Sequence, residues 1–170
     1  KDVLSRLIAC GEIASATDIF RITSESPFLY FEKVEEYWNR YIEKKLEALF
    51  MDEIIDGCGF EIISLSALKK SHILGEKKHR SELCSLYIRE NIKDFNIEKV
   101  FPPQALIRKD LRLTVDNPED LVVCRAVYLH FNKYVPRVPL LEVVQFLDLH
   151  PNLKKLISPY AESGYATMNK

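Results

Sequence analysis

Leu111-Arg112-Leu113-Thr114-Val115-Asp116-Asn117-Pro118-Glu119-Asp120-Leu121 is a short β-type run that delivers an acidic residue onto the start of a helix. Leu111, Leu113 and Val115 alternate with Arg112 and Thr114 at the strand period, whereas Pro118 and Glu119 carry first-turn helix chemistry. In an α/β protein such a junction lies at the carboxyl edge of the sheet, where ligands bind. Asp116 then stands where a carboxylate can hold a metal ion. The same residues also read as a capping box, Asp116 with Glu119 three residues on and Pro118 near the first helical position, so cap and ligand both stay open.

Outward from this junction the period of the apolar residues switches repeatedly between helix and strand. Val3, Leu4, Leu7, Ile8 and Gly11 mark an opening helical face, and Thr17 to Thr23 reads as a strand. Phe31, Val34, Trp38, Ile42, Leu46 and Leu49 recur at three- and four-residue steps and predict one long amphipathic helix with that face on a sheet. Strands are expected at Phe60 to Leu65 and Ile97 to Phe101, and helices at Ser66 to Leu74 and about Ser81 to Asn91. Leu121, Cys124, Val127, Tyr128 and Phe131 give a further helical face; Leu140 to Leu147 and a short stretch near Leu153 to Ile157 follow, then a loop-like tail from Ser158 to Tyr165. Alternating helices and strands predict an α/β layered sheet.

The 170 residues are 47% hydrophobic, enough for one domain with a sizeable core. The 24 Lys plus Arg against 25 Asp plus Glu give no global field for nucleic acid or a membrane surface, so recognition should be local. Cys10, Cys58, Cys84 and Cys124 have no metal-ligand spacing and read as small buried hydrophobes in a reducing compartment. His72, His79, His130 and His150 lack ligand spacing too. No apolar run approaches the roughly 18 residues of a membrane span and no secretory leader is visible, so a cytoplasmic location is expected.

The junction resembles the closing motif of the cytidylyltransferases that activate acidic sugars, of the acylneuraminate and spore-coat polysaccharide type, in which a strand ends in Asp followed by Thr- or Asn-Pro-Glu-Asp-Leu. Other segments match that family in order. Asp2-Val3-Leu4-Ser5-Arg6 resembles its Asp-Val-Leu-x-Arg helix, and Arg21-Ile22-Thr23-Ser24-Glu25-Ser26-Pro27 its Arg-Ile-Thr-Gly-Asp-x-Pro turn. His79-Arg80-Ser81-Glu82 through Leu86-Tyr87-Ile88-Arg89-Glu90-Asn91 resembles its Arg-Ser-Glu-His-Val-Thr-x-Tyr-Ile-x-Glu-Asn helix. Family members open with a strand and a Gly- and Arg-containing phosphate loop, which this sequence lacks before Asp2. On that resemblance residues 1–170 read as the carboxyl-terminal portion of one cytidylyltransferase domain, a three-layer Rossmann-like sheet with helices on both faces.

The resemblance implies transfer of CMP from CTP to an acidic or modified sugar, giving a CMP-sugar and pyrophosphate for surface polysaccharide synthesis. Charge builds on phosphate oxygens in such a step, and Mg2+ held by hard carboxylates is the implied cofactor. Glu25 and Asp116 are the candidate metal ligands, Arg21 and Asp116 the candidate catalytic residues, and Glu61, Arg80 and Glu82 the candidate substrate contacts. Glu25 stands where the family has Asp, and Leu83 where it has His. Gly57 and Gly59 ahead of Glu61 would let the backbone approach the sugar. The basic residues Lys69, Lys70, Lys77, Lys78, His79 and Arg80 would steer an anionic sugar or form a solvated face. A homodimer is implied, and Tyr87, Tyr134, Tyr160 and Tyr165 lie outside the core periodicities as interface aromatics do. A metal-dependent glycosyltransferase of related fold and a non-catalytic relative serving as an interaction module are the competing readings.

Overall fold

A computed structural model describes residues 2–168, with the side chains of all of these except 163 and 165–168. Strands β1 (Asp18–Arg21), β2 (Ala48–Met51), β3 (Glu61–Ser64) and β4 (Ile97–Val100) form one sheet in the order β1-β3-β2-β4. The β3 strand is antiparallel to both β1 and β2, while β2 and β4 run parallel.

Successive residues of a strand point to opposite faces, and in β2 both sets are buried. Ala48 and Phe50 join a core with Leu4 of α1 (Val3–Ile13), Ala67 and Leu68 of α3 (Leu65–Leu74), and Ile88 of α4 (Leu86–Glu90). Leu49 and Met51 join the other core, with Tyr37 and Tyr41 of α2 (Val34–Glu43), Val123 and Val127 of α5 (Pro118–His130), Val143 and Leu147 of α6 (Leu140–Leu149), and Ile157 of α7 (Pro151–Met168). Helices therefore cover both faces, and the molecule is a three-layer α/β structure. No described helix is long and apolar enough to cross a membrane.

Several sequence expectations need correction. The run Leu111 to Val115 is extended but is not a ladder strand; it makes one parallel bridge, Asp56 with Arg112. Its alternation fails because Arg112 and Thr114, expected outside, are as buried as Leu111 and Leu113. The long helix expected from Phe31 to Leu49 is two elements: α2 stops at Glu43, Lys45 turns left-handed at φ 50°, and Leu49 lies in β2. The buried face of α2 is also one residue away from the expected one. Tyr37 and Tyr41 are buried, whereas Trp38 and Ile42 are 37% and 50% exposed. Tyr41 can be buried because its hydroxyl donates to Asp18 at 2.5 Å.

The tail read as a loop is the second half of α7, with Pro159 inside the helix. Cys58, Cys84 and Cys124 are buried as expected, but Cys10 is exposed. Of the four tyrosines taken as interface aromatics, Tyr87 packs on His79 and Phe95, Tyr134 on Phe131, and Tyr160 reaches Glu119. The side chain of Tyr165 lies outside the described residues.

The loop between β2 and β3 is held against the Leu113 backbone by a hydrogen bond from Leu113 N–H to the Asp56 carbonyl at 2.8 Å. Gly57 makes this approach feasible. Its φ is 87°, and a Cβ there would stand 2.5 Å from the Thr114 nitrogen. Gly57→Ala is therefore expected to destabilise the protein by at least about 1–3 kcal/mol, from the backbone conformation alone. Gly59→Ala meets its neighbours no closer than 3.2 Å and should cost less. Urea denaturation of both variants checks this; equal stability of Gly57→Ala and the parent would contradict it.

Candidate functional site

A cleft of about 440 Å³ opens where the end of β1, the loop before β3, the segment before α4 and the Arg112 to Asn117 run converge, with α7 alongside. Arg21, Glu25, Glu61, Glu82 and Asp116 all line it. Residues spread across the sequence thus meet on one wall. Arg80 does not join them: its guanidinium lies near the His72 carbonyl and the Asp2 carboxylate, at 3.3 and 3.8 Å. Nor does the basic run line the cleft. Lys69 pairs with Glu12, Lys70 with the Asp94 carbonyl, and Lys78 and His79 with Glu90.

The first half of the site grows from the β1–β3 register, which sets Arg21 opposite Glu61. Arg21 donates to Glu61 at 2.8 Å and to the Glu82 carbonyl at 2.8 Å. Glu61 also accepts from Ser85 at 2.5 Å and from Arg89 at 3.3 Å. Arg89 in turn binds both oxygens of Asp52, at 2.9 and 3.2 Å, and lies over the Phe50 ring. Burial pushes the Glu61 carboxyl up, but the Arg21 and Arg89 guanidiniums and the Ser85 hydroxyl outweigh it and hold it below the ordinary value.

The second half is built on Arg112. Its Nε donates to both oxygens of Asp120, at 3.1 and 3.2 Å, its Nη1 to Asp56 at 2.6 Å, and its Nη2 to Asp116. Asp120 is fully buried and also accepts the backbone N–H groups of Asp116 and Asn117, at 3.1 and 2.9 Å. The helix is therefore boxed by Asn117 and Asp120, one residue beyond the expected Asp116 and Glu119. Asp116 is freed from capping, and its side chain is 52% exposed. Burial lifts the Asp56 carboxyl above its ordinary value against the pull of Arg112, with Asp116 and Asp120 adding to the rise.

The two turns that carry the candidate metal ligands are tied together, because Val115 N–H donates to the Glu25 carbonyl at 2.9 Å. Both described side-chain contacts of Asp116, from Arg112 and Thr114, fall on Oδ2. Among the described residues no group of three or more histidine, cysteine, aspartate or glutamate side chains is placed to hold a metal ion. A pair of carboxylates suits Mg2+ that keeps water and substrate phosphate as its other ligands, and does not suit a dedicated protein cage.

Sequence reasoning missed Asp52, Asp56, Ser85, Arg89, Arg112 and Asp120 as parts of the site. Asp52 and Asp56 follow the apolar Ala48–Met51 strand as Asp116 follows its own run, so the same signal was present there. Gly57 and Gly59 both line the cleft, and Gly57 in addition lets the Leu113–Thr114 backbone approach closely. Glu61, expected to accept sugar hydroxyls, lines the cleft and already accepts from Arg21 on Oε2 and from Ser85 and Arg89 on Oε1.

No family model matches the chain. An uncharacterized protein of Methanocaldococcus jannaschii is 27% identical over 165 residues, which cover 97% of this chain and 67% of that protein. A solved cytidylyltransferase from Leptospira borgpetersenii serovar Hardjo-bovis aligns with a TM-score of 0.79 at 18% identity, over 89% of this chain and 64% of that one. The chain thus spans about two thirds of the length of each, and at this identity the second likeness establishes a shared fold.

The depressed Glu61 acidity makes stability depend on pH in a defined window. Its folded value lies below its ordinary one of 4.5, so its contribution is complete above about 4.5 and is lost as pH falls through the folded value. Glu61→Gln should therefore flatten the acid limb of a plot of melting temperature against pH. An acid limb of unchanged slope would show that Glu61 carries none of this dependence.

Proposed function

We propose that the cleft is the acceptor side of a nucleotidyl-transfer site, moving CMP from CTP to a sugar hydroxyl in the complete protein. The observation that carries this reading is the tie between the Glu25 and Asp116 turns, which sets two carboxylates from distant segments on one wall. The shared fold with a cytidylyltransferase supports the nucleotide class. In the reaction the hydroxyl oxygen bonds to the α-phosphorus, the bond to the β-phosphate breaks, pyrophosphate leaves and the hydroxyl proton is released.

Glu25 and Asp116 would hold Mg2+, which when bound supplies positive charge to the phosphate oxygens. Arg112 orients Asp116 and is itself fixed by Asp56 and Asp120. Arg21 sits at the edge of the cleft with Glu61 and the Glu82 carbonyl, where it positions the segment before α4. The ion pair between Asp116 and Arg112 favours one competing reading, a relative that keeps the cleft as a folded scaffold without turnover.

Asp116→Asn in the complete protein separates the two. Asn117 and Asp120 box the helix, and the Asp116 side chain is half-exposed, so stability should change by less than about 1 kcal/mol. Pyrophosphate release from CTP with Mg2+ and a sugar acceptor should fall on the order of a hundredfold. Unchanged turnover would remove Asp116 from the chemistry, and absence of turnover by the parent protein with any sugar would favour the scaffold.

A further inference from the structure

The two outer strands of the sheet are built differently. In β4 the exposed residue is Lys99, and Pro102 and Pro103 follow the strand closely; both features stop an edge from pairing further. β1 has no strand on its outer side among the described residues, and none of its residues is buried, whereas all four of β2 are. Its charged side chains are engaged within this chain, Asp18 by Tyr41 and Arg21 by Glu61 and the Glu82 carbonyl. What it leaves exposed is apolar: Phe20 at 37% and Ile22, next after the strand, at 48%.

The apolar surface continues onto α2, where Trp38 and Ile42 are exposed one turn apart. Trp38 stacks on Tyr41 with ring centroids 5.9 Å apart, and Tyr41 bonds to Asp18, which lies on the same face of β1 as Phe20. Phe20 in turn stacks on Phe60 at 5.1 Å. An open row of backbone N–H and C=O groups bordered by apolar side chains suits an added strand, whose backbone completes the ladder while its side chains cover the neighbours.

A second copy of this chain fits the edge poorly. Two-fold pairing of β1 with itself brings residues of one face together, so within Asp18 to Ile22 the Asp18 carboxylate meets Phe20, Ile22 or its own copy and never Arg21. The relatives point to a different source. The solved cytidylyltransferase shares this fold over 89% of this chain, yet only 64% of its own length is matched, and the Methanocaldococcus protein is matched over 67% of its length. Each thus has about a third of its residues outside the part that corresponds to residues 1–170.

We propose that the outer edge of β1, with Phe20, Ile22, Trp38 and Ile42, is the surface onto which a further segment of the complete protein, outside residues 1–170, adds a strand. The added strand extends the sheet and borders the cleft, because Arg21, Ile22 and Thr23, at and just after the end of β1, line it. The cleft then gains a wall from residues outside this chain. The inference stands independently of the nucleotidyl-transfer reading.

The test uses the complete protein. Amide hydrogen exchange, read residue by residue by NMR, is expected to show Ile19 to Ile22 protected on both sides of the strand, each amide exchanging at least about a hundredfold more slowly than those of the exposed turn at Ser24. Fast exchange of alternate β1 amides would leave the outer edge open and overturn the proposal. The occupant is identified by Ile42→Lys, which puts a charge into the covered patch and is expected to lower the melting temperature by several degrees without changing the mass seen by light scattering. An unchanged melting temperature would mean that nothing covers the patch, and dissociation of a larger species into monomers would mean that a second copy does; either result overturns the proposal. Ile42→Ala gives the same reading at smaller amplitude if the lysine variant does not fold.

Discussion

Arg112 is the constraint on which the site depends. Its guanidinium is nearly buried and would be costly there without partners, so the fold surrounds it with Asp56 from the loop after β2 and with Asp116 and Asp120 from the start of α5. Those contacts bind together segments separated by more than fifty residues. The α7 helix closes over the same group: a Cβ at Gly164 would stand 2.1 Å from the Asp56 carboxylate and 2.3 Å from Nη1 of Arg112. One ion cluster thus sets the approach of three parts of the chain, and the half-exposed Asp116 is the most exposed of its members on the cleft lining, beside Asp56 and Arg112.

The Glu61 half of the site follows a related logic with the signs exchanged. Glu61 is a partly buried carboxylate at the start of β3, and Arg21, Arg89 and Ser85 satisfy it from β1, from α4 and from the turn just before α4. The antiparallel register brings Arg21 opposite Glu61, and the Asp52 partner of Arg89 emerges directly from β2. The sheet therefore positions the site through its strand ends, while both of its faces are sealed by the two apolar cores. Because the charged groups of the wall are mutually satisfied, they are preorganised.

Much of the α/β order was legible because it rests on short-range periodicity. The strands at Thr17 to Thr23, Phe60 to Leu65 and Ile97 to Phe101 enclose those observed, and the Asp116 and Glu25 turns do reach one cleft. What periodicity could not reveal was set by partners distant in sequence. Arg112 reads as an outward strand residue until Asp56 and Asp120 are placed beside it. Tyr37 and Tyr41 lie on a four-residue step as good as that of Trp38 and Ile42, and partners distant in sequence, Phe60 beside Tyr37 and the Asp18 acceptor of Tyr41, accompany their burial. The α7 helix was hidden by Pro159 and Gly164, residues that weaken a helix in isolation but are tolerated where packing holds it.

The central claim is that the cleft between the Glu25 and Asp116 turns is where CTP is attacked. Anomalous diffraction from crystals of the complete protein grown with CTP and Mn2+, a scattering substitute for Mg2+, tests it most directly. The account predicts a manganese peak beside the Asp116 and Glu25 carboxylates, with a nucleotide phosphate on its far side. A metal and nucleotide bound elsewhere, with the Arg112 cluster and its cleft untouched, would contradict it.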